Sequence, residues 1–151
     1  MTKPQRKNPR VDRALKSFQD GFNCSQAVLS AYSREFGLES QQGHRVSQSF
    51  GGGMARMAGP CGAVTGALMV IGLKYGKIEP KDEAAKDKTY ALAQEFVRRF
   101  KAKHGSLTCL GLLGHHIGTP RGMNALQKLN FHKDICPKYV KAAVLILDKI
   151  L

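Results

Sequence analysis

Apolar residues recur along this chain at helical rather than strand spacing. Val11, Leu15 and Phe18 predict a short amphipathic helix ending near Gly21. Asn23 is suited to cap a second helix, whose apolar face runs through Ala27, Val28, Ala31, Tyr32 and Phe36 to a stop at Gly37. Residues 38–59 are polar and then glycine-rich, with Val46 and Phe50 supporting at most a short helix before Gly51, Gly52 and Gly53. Pro60 then reads as the first position of an apolar helix over about 60–75, with Gly76 as a left-handed C-terminal cap. A long helix follows Pro80. It is acidic at its start, basic at its end and closed by Gly105, and Tyr90, Leu92, Ala93, Phe96, Val97 and Phe100 fit a period of 3.6.

Beyond it, Ser106 is positioned to cap a short helix through Leu107, Leu110, Leu112 and Leu113 that ends at Gly114. Thr119 and Pro120 open a weaker one through Met123, Leu126 and Leu129. Pro137 suits an early position in a last helix with Tyr139, Val140, Ala143, Val144, Leu147 and Ile150 on one face. No segment alternates with period 2, and neither an internal repeat nor a long linker interrupts the pattern. The expectation is an all-α, single-domain bundle of about six or seven helices over residues 11–151. A disordered basic tail is expected over residues 1–10, where Lys3, Arg6, Lys7 and Arg10 stand among two prolines.

The four cysteines change this picture. Cys24, Cys61, Cys109 and Cys136 each stand at or near the start of a predicted helix, where unpaired N–H groups and the positive end of the helix dipole favour a thiolate. A chain of 151 residues buries an adequate core without them. They form no CxxC pair, which argues against a zinc ribbon, a thioredoxin-type site and a ferredoxin. Four helix starts can nevertheless converge in a bundle; the bland alternative is four buried small hydrophobes. Gly62, Gly66 and Gly72 each weaken the central helix by about 1 kcal/mol, and close approach of another backbone or of a cofactor would explain them.

Charge and composition bound the partners. The chain carries a net +13, yet carboxylates are absent from residues 40–78 and again from 96–133, the two windows that hold Cys61 and Cys109. Aromatic residues make up 7% with no tryptophan, and no nucleic-acid motif occurs, so nucleic acid is not the expected partner. The N-terminal residues are basic and polar with no apolar run behind them, and the longest apolar run is too short to span a bilayer. A cytoplasmic protein with no membrane partner is expected, where cysteines are more often metal-binding or catalytic than disulfide-bonded. His104, His115, His116 and His132 read as surface side chains rather than ligands. No Ser/His/Asp order, paired-carboxylate motif or nucleotide loop stands out, and no enzymatic class is assigned.

The layout resembles the C_GCAxxG_C_C family of redox-active proteins. The resemblance rests on Cys24, on Cys61-Gly62-Ala63-Val64-Thr65-Gly66, on Cys109 and on Cys136, with GFNCSQAVL, GGG, CGAVTGALM, EFVRRF and SLTCLGLLG around them. Pro60 departs from the family pattern, which has glycine before the second cysteine. The resemblance implies redox chemistry through the four cysteines, and related sequences stand beside haem modules where an iron–sulfur cluster is expected. Three readings follow. In the first, a small electron carrier or redox accessory protein uses Cys24, Cys61, Cys109 and Cys136 to bind an iron–sulfur cluster, [2Fe–2S] being favoured, with Gly62 and Gly66 giving it room. The second is a cluster-free thiol/disulfide protein with Cys61 as nucleophile. The third is a zinc-stabilised or metal-free basic binding module. The expected partner is an acidic redox protein or oxidoreductase, and no oligomeric state follows.

Overall fold

The computed structural model describes residue 4 and residues 6–151. The chain runs through α1 (Pro9–Gln19), α2 (Cys24–Ser30), α3 (Ser40–Ser47), α4 (Gly52–Ala55), α5 (Gly62–Tyr75), α6 (Glu83–His104), α7 (Cys109–Leu113), α8 (Pro120–Lys128), α9 (Phe131–Asp134) and α10 (Cys136–Ile150). The architecture is all-α, as the periodicity requires. Among the described residues no strand forms, and a single isolated bridge pairs Pro60 with Thr108. More helical segments form than the apolar pattern announces, because α4 and α9 are single turns of four residues, too short to show a period.

The central helix is α5. It is apolar around most of its circumference, so it is enclosed rather than laid on a surface. It packs against α2, α6 and α10, while α1 covers α2 and α10. Ala63, Val64, Ala67, Val70 and Ile71 of α5 are buried together with Phe96 and Phe100 of α6 and Val140, Val144 and Leu147 of α10. The tightest approach is between α5 and α2. A Cβ on Gly66 would lie 2.8 Å from the Ser25 carbonyl oxygen and 3.1 Å from Val28 Cβ, so the small residue lets the two backbones touch. Gly72, which shares the helix, has no such reason: nothing lies within 4 Å of its would-be Cβ, and the position is exposed. Gly72→Ala is therefore expected to raise stability by about 0.5–1 kcal/mol in urea titrations, from helix propensity alone.

The caps follow the sequence with a few corrections. Asn23 forms a capping box with Gln26, Asp82 caps α6, and Thr119 caps α8 with Pro120 behind it. Gly37, Gly105 and Gly114 take the expected left-handed conformation. Gly76 does not; its φ is −59° and its N–H closes back on the Gly72 carbonyl at 2.7 Å. Thr108 rather than Ser106 caps α7, accepting from the Gly111 N–H at 3.0 Å. Pro9 and Arg10 belong to α1, capped by Asn8, so the helix reaches into the stretch expected to be a disordered tail. Residues 1–3 and 5 of that stretch lie outside the described residues.

Candidate functional site

The central helix begins at Gly62, two residues later than Pro60 as its first position would require. Cys61 is the N-cap residue of α5, not a member of its first turn, because the segment before it is held by a neighbouring strand-like stretch. The Cys61 N–H donates to the Leu107 carbonyl at 2.7 Å, and the Cys109 N–H donates to the Gly59 carbonyl at 2.7 Å. These antiparallel hydrogen bonds flank the Pro60–Thr108 bridge, pair Cys61 with Leu107 and Cys109 with Gly59, and so set the two cysteines diagonally across one face of the pairing. Cys24 is the first residue of α2 and Cys136 the first of α10. The close packing at Gly62, whose Cβ would meet Cys24 Cβ at 3.0 Å and the Ser25 nitrogen at 2.9 Å, brings the start of α2 onto the start of α5.

All four cysteines line one cavity of about 370 Å³. Each is a free thiol, Cys61, Cys109 and Cys136 buried and Cys24 half-buried. The floor and rim are completed by Gly51, Gly52, Gly53, Arg56, Gly62, His132 and Tyr139. Gly62 thus stands in the lining, whereas Gly66 does not: it faces Ser25 and Val28, and the room it provides goes to α2.

The glycine run wraps the cavity in a left-handed turn. Gly52, Gly53, Met54, Ala55 and Arg56 all have φ between 52° and 67°, and Ala58 follows at 59°. Left-handed non-glycine residues cost about 1–2 kcal/mol each, so the surrounding packing has to hold this turn in place. Gly53 is the fixed point. Its would-be Cβ lies 2.7 Å from Cys109 Cβ and 2.8 Å from Ala58 Cα, and its carbonyl accepts from the Gly59 N–H at 2.9 Å.

Within the cavity the thiols are not equivalent. The Cys24 sulfur accepts hydrogen bonds from the Cys136 and Cys61 thiols and from the backbone N–H groups of Cys24 and Gly52, which hold its pKa well below the ordinary thiol value despite burial. Cys61 and Cys136 are pushed up, each first by the hydrogen bond it gives to Cys24 and then by burial. Burial, with the nearby Cys24 charge, raises Cys109 to about 11. Cys61 is the nucleophile expected from the sequence, whereas donors that converge on Cys24 favour that sulfur as the more readily ionised of the two. In metal-free protein at pH 7, iodoacetamide is expected to label Cys24 first, by more than about tenfold over Cys109, read by peptide mass spectrometry. Preferential labelling of Cys61 would restore the other assignment.

The family described as "Putative redox-active protein (C_GCAxxG_C_C)" matches residues 22–150. The chain belongs to this family. No curated protein and no solved structure matches it. The family is thus described as redox-active, and in this C_GCAxxG_C_C protein all four cysteines line one cavity.

Other candidate residues fall outside the cavity. The His116 ring nitrogen accepts from the Gly118 N–H at 3.0 Å, and His104 stacks edge-on against Tyr139 at 4.9 Å. His132 was expected to be a surface side chain; it is exposed, yet it also lines the cavity mouth, stacked on Phe18 at 5.1 Å. Arg56 and Tyr139 carried no sequence signal for the site. Arg56 reaches it through the left-handed turn, and Tyr139 reads in sequence as an ordinary core position. No helix is long and apolar enough to cross a membrane among the described residues.

Proposed function

We propose that this protein is a small electron carrier or redox accessory protein whose Cys24, Cys61, Cys109 and Cys136 hold an iron–sulfur cluster, [2Fe–2S] in preference to others. The observation that carries this reading is that four cysteines from four separate elements line one cavity. The donor set suits the group: four thiolates complete a binuclear cluster, and the ligands need not be local in sequence. Among the described residues no group of three or more Cys, His, Asp or Glu side chains is gathered about one point to hold a single ion.

When bound, the cluster would supply one-electron chemistry through its irons. The protein's contribution is to hold four sulfurs apart on separate elements, to donate the Gly52 N–H toward Cys24, and to keep most of the site from water. Arg56 on the rim places a positive charge beside an anionic site. The basic end of α6, with exposed Lys101 and Lys103, and neighbouring Lys138 suit an acidic redox protein or oxidoreductase as partner; Tyr139 links that face to the cavity through His104.

One observation favours the thiol/disulfide reading as the second. The Cys136 and Cys61 thiols are the main groups that lower the Cys24 pKa, so they are the thiols that would pair with it. In that reaction the Cys24 thiolate attacks a partner's disulfide, releasing one thiolate. The Cys61 or Cys136 thiol then loses its proton and displaces the second partner sulfur, which leaves as a thiol. Purification without oxygen separates the two. The cluster reading expects coloured protein with iron and acid-labile sulfide in equal amounts. Colourless, iron-free protein that consumes two thiols on mild oxidation would support the second instead.

A further inference from the structure

A second concavity opens away from the cysteine cavity. A groove of about 1050 Å³ lies at the other end of two of the same helices, where α2 finishes at Ser30 and α10 passes Leu145 and Asp148. Asp148 is twelve residues beyond Cys136, which sets it roughly 18 Å along α10 from the cysteine end at a rise of ~1.5 Å per residue. Five cationic side chains line this groove against two carboxylates.

Both carboxylates are already engaged. Arg10 grips Glu35 through two nitrogens, with Nε at 3.0 Å, and reaches Asp148 at 2.9 Å. Asp148 also accepts from Asn8 at 2.7 Å and from the Tyr32 hydroxyl at 2.7 Å, and Arg10 stacks over the Tyr32 ring at 5.0 Å. This network is a fixed floor that neutralises its own acids. Arg6, Lys7, Arg13 and Arg34 remain around it, all exposed, and none forms an ion pair among the described residues. Arg13 is steadied by donating to the Ala31 carbonyl at 3.0 Å, at the negative end of α2.

We infer that this groove is a docking surface for an acidic segment of a partner protein. Charge complementarity selects the occupant: a rim of unpaired guanidinium and ammonium groups recognises carboxylates, as Arg10 does on the floor. Its size lies at the top of the ~300–1,000 Å³ range of small-molecule sites, which fits a chain segment better than a single small anion. No aromatic side chain lines it, so bases of a single-stranded nucleic acid would find nothing to stack on. The segment would anchor a partner at the far end of the molecule from the cysteines, and the inference does not depend on what the cysteines hold.

The test uses the full chain and a fluorescein-labelled decaglutamate peptide, with binding followed by anisotropy at low salt. Saturable binding is expected, weakening steeply with added salt. It should fall about tenfold in Arg6→Glu/Arg34→Glu and in the same direction, by less, in the uncharged Arg6→Gln/Arg34→Gln. Arg121→Glu/Lys128→Glu on α8, exposed and outside the groove, should change it by less than about twofold. Equal losses from the groove and α8 reversals would reduce the effect to net charge and overturn the inference. So would unchanged binding in both groove variants with thermal unfolding as in the parent, or ten-nucleotide oligothymidylate binding more tightly than the peptide through the same residues.

Discussion

Gly66→Leu is expected to destabilise the protein by about 3 kcal/mol, the upper part of what overpacking a core costs, even though leucine is the better helix former. The clash is with backbone: the first carbon added would lie 2.8 Å from the Ser25 carbonyl oxygen, and the remaining three have no space between α5 and α2. Because Ser25 follows Cys24, α2 cannot retreat without carrying the Cys24 sulfur away from the Cys61 and Cys136 thiols that hydrogen-bond it. Two readouts should therefore move together, the urea midpoint falling and the preferential alkylation of Cys24 diminishing. Gly72→Ala, six residues along the same helix, supplies the opposite sign. A Gly66→Leu protein as stable as its parent would mean that the α2–α5 crossing is loose.

Glycine spacing in the central helix was informative only in part, and the reason is geometric. Sequence marks Gly62, Gly66 and Gly72 alike as helix-weakening residues, and cannot tell which of them face a neighbour. The structure separates them: Gly62 meets the start of α2 and lines the cavity, Gly66 meets α2 a turn later, and Gly72 faces open space. The helices themselves were readable wherever a face of apolar residues extends over two turns, as in α6 and α10. Turns that satisfy their backbone by non-repeating means left no such trace. The left-handed run from Gly52 to Arg56 is set by contacts with Cys109, Ala58 and Gly59, which are remote or local in ways that periodicity does not encode.

The cysteines were legible as helix starts, while their chemistry was not. Helix-start reasoning treats each thiol by its own dipole and singles out Cys61 for its helix start and positive surroundings. What decides ionisation in the folded protein is which sulfur receives the others' protons, and this follows from the pairing of residues 58–61 with 107–110 and from the helix crossing at Gly62. Arg56 and His132 entered the site for the same reason, carried there by a strained turn and by a four-residue helix that no local pattern announces.

Single replacement of each cysteine by alanine should separate the two redox readings by the pattern of losses. A cluster held by four thiolates needs every one. Iron content after anaerobic purification should therefore fall in all four variants alike, by more than the ~10–100-fold in affinity that losing even an outer-shell partner costs. Cys109→Ala is the decisive member. Cys109 receives and gives no hydrogen bond to Cys24 and feels it only through charge, so thiol/disulfide chemistry centred on Cys24 has no use for it beyond packing. On that second reading Cys24→Ala abolishes reversible oxidation, Cys61→Ala and Cys136→Ala each remove one pairing, and Cys109→Ala retains both pairings of Cys24. Iron lost equally from all four variants, with Cys109→Ala no milder than Cys24→Ala, is the result expected here. Full iron retention in Cys109→Ala would remove that residue from the ligand set and, with it, the four-thiolate cluster.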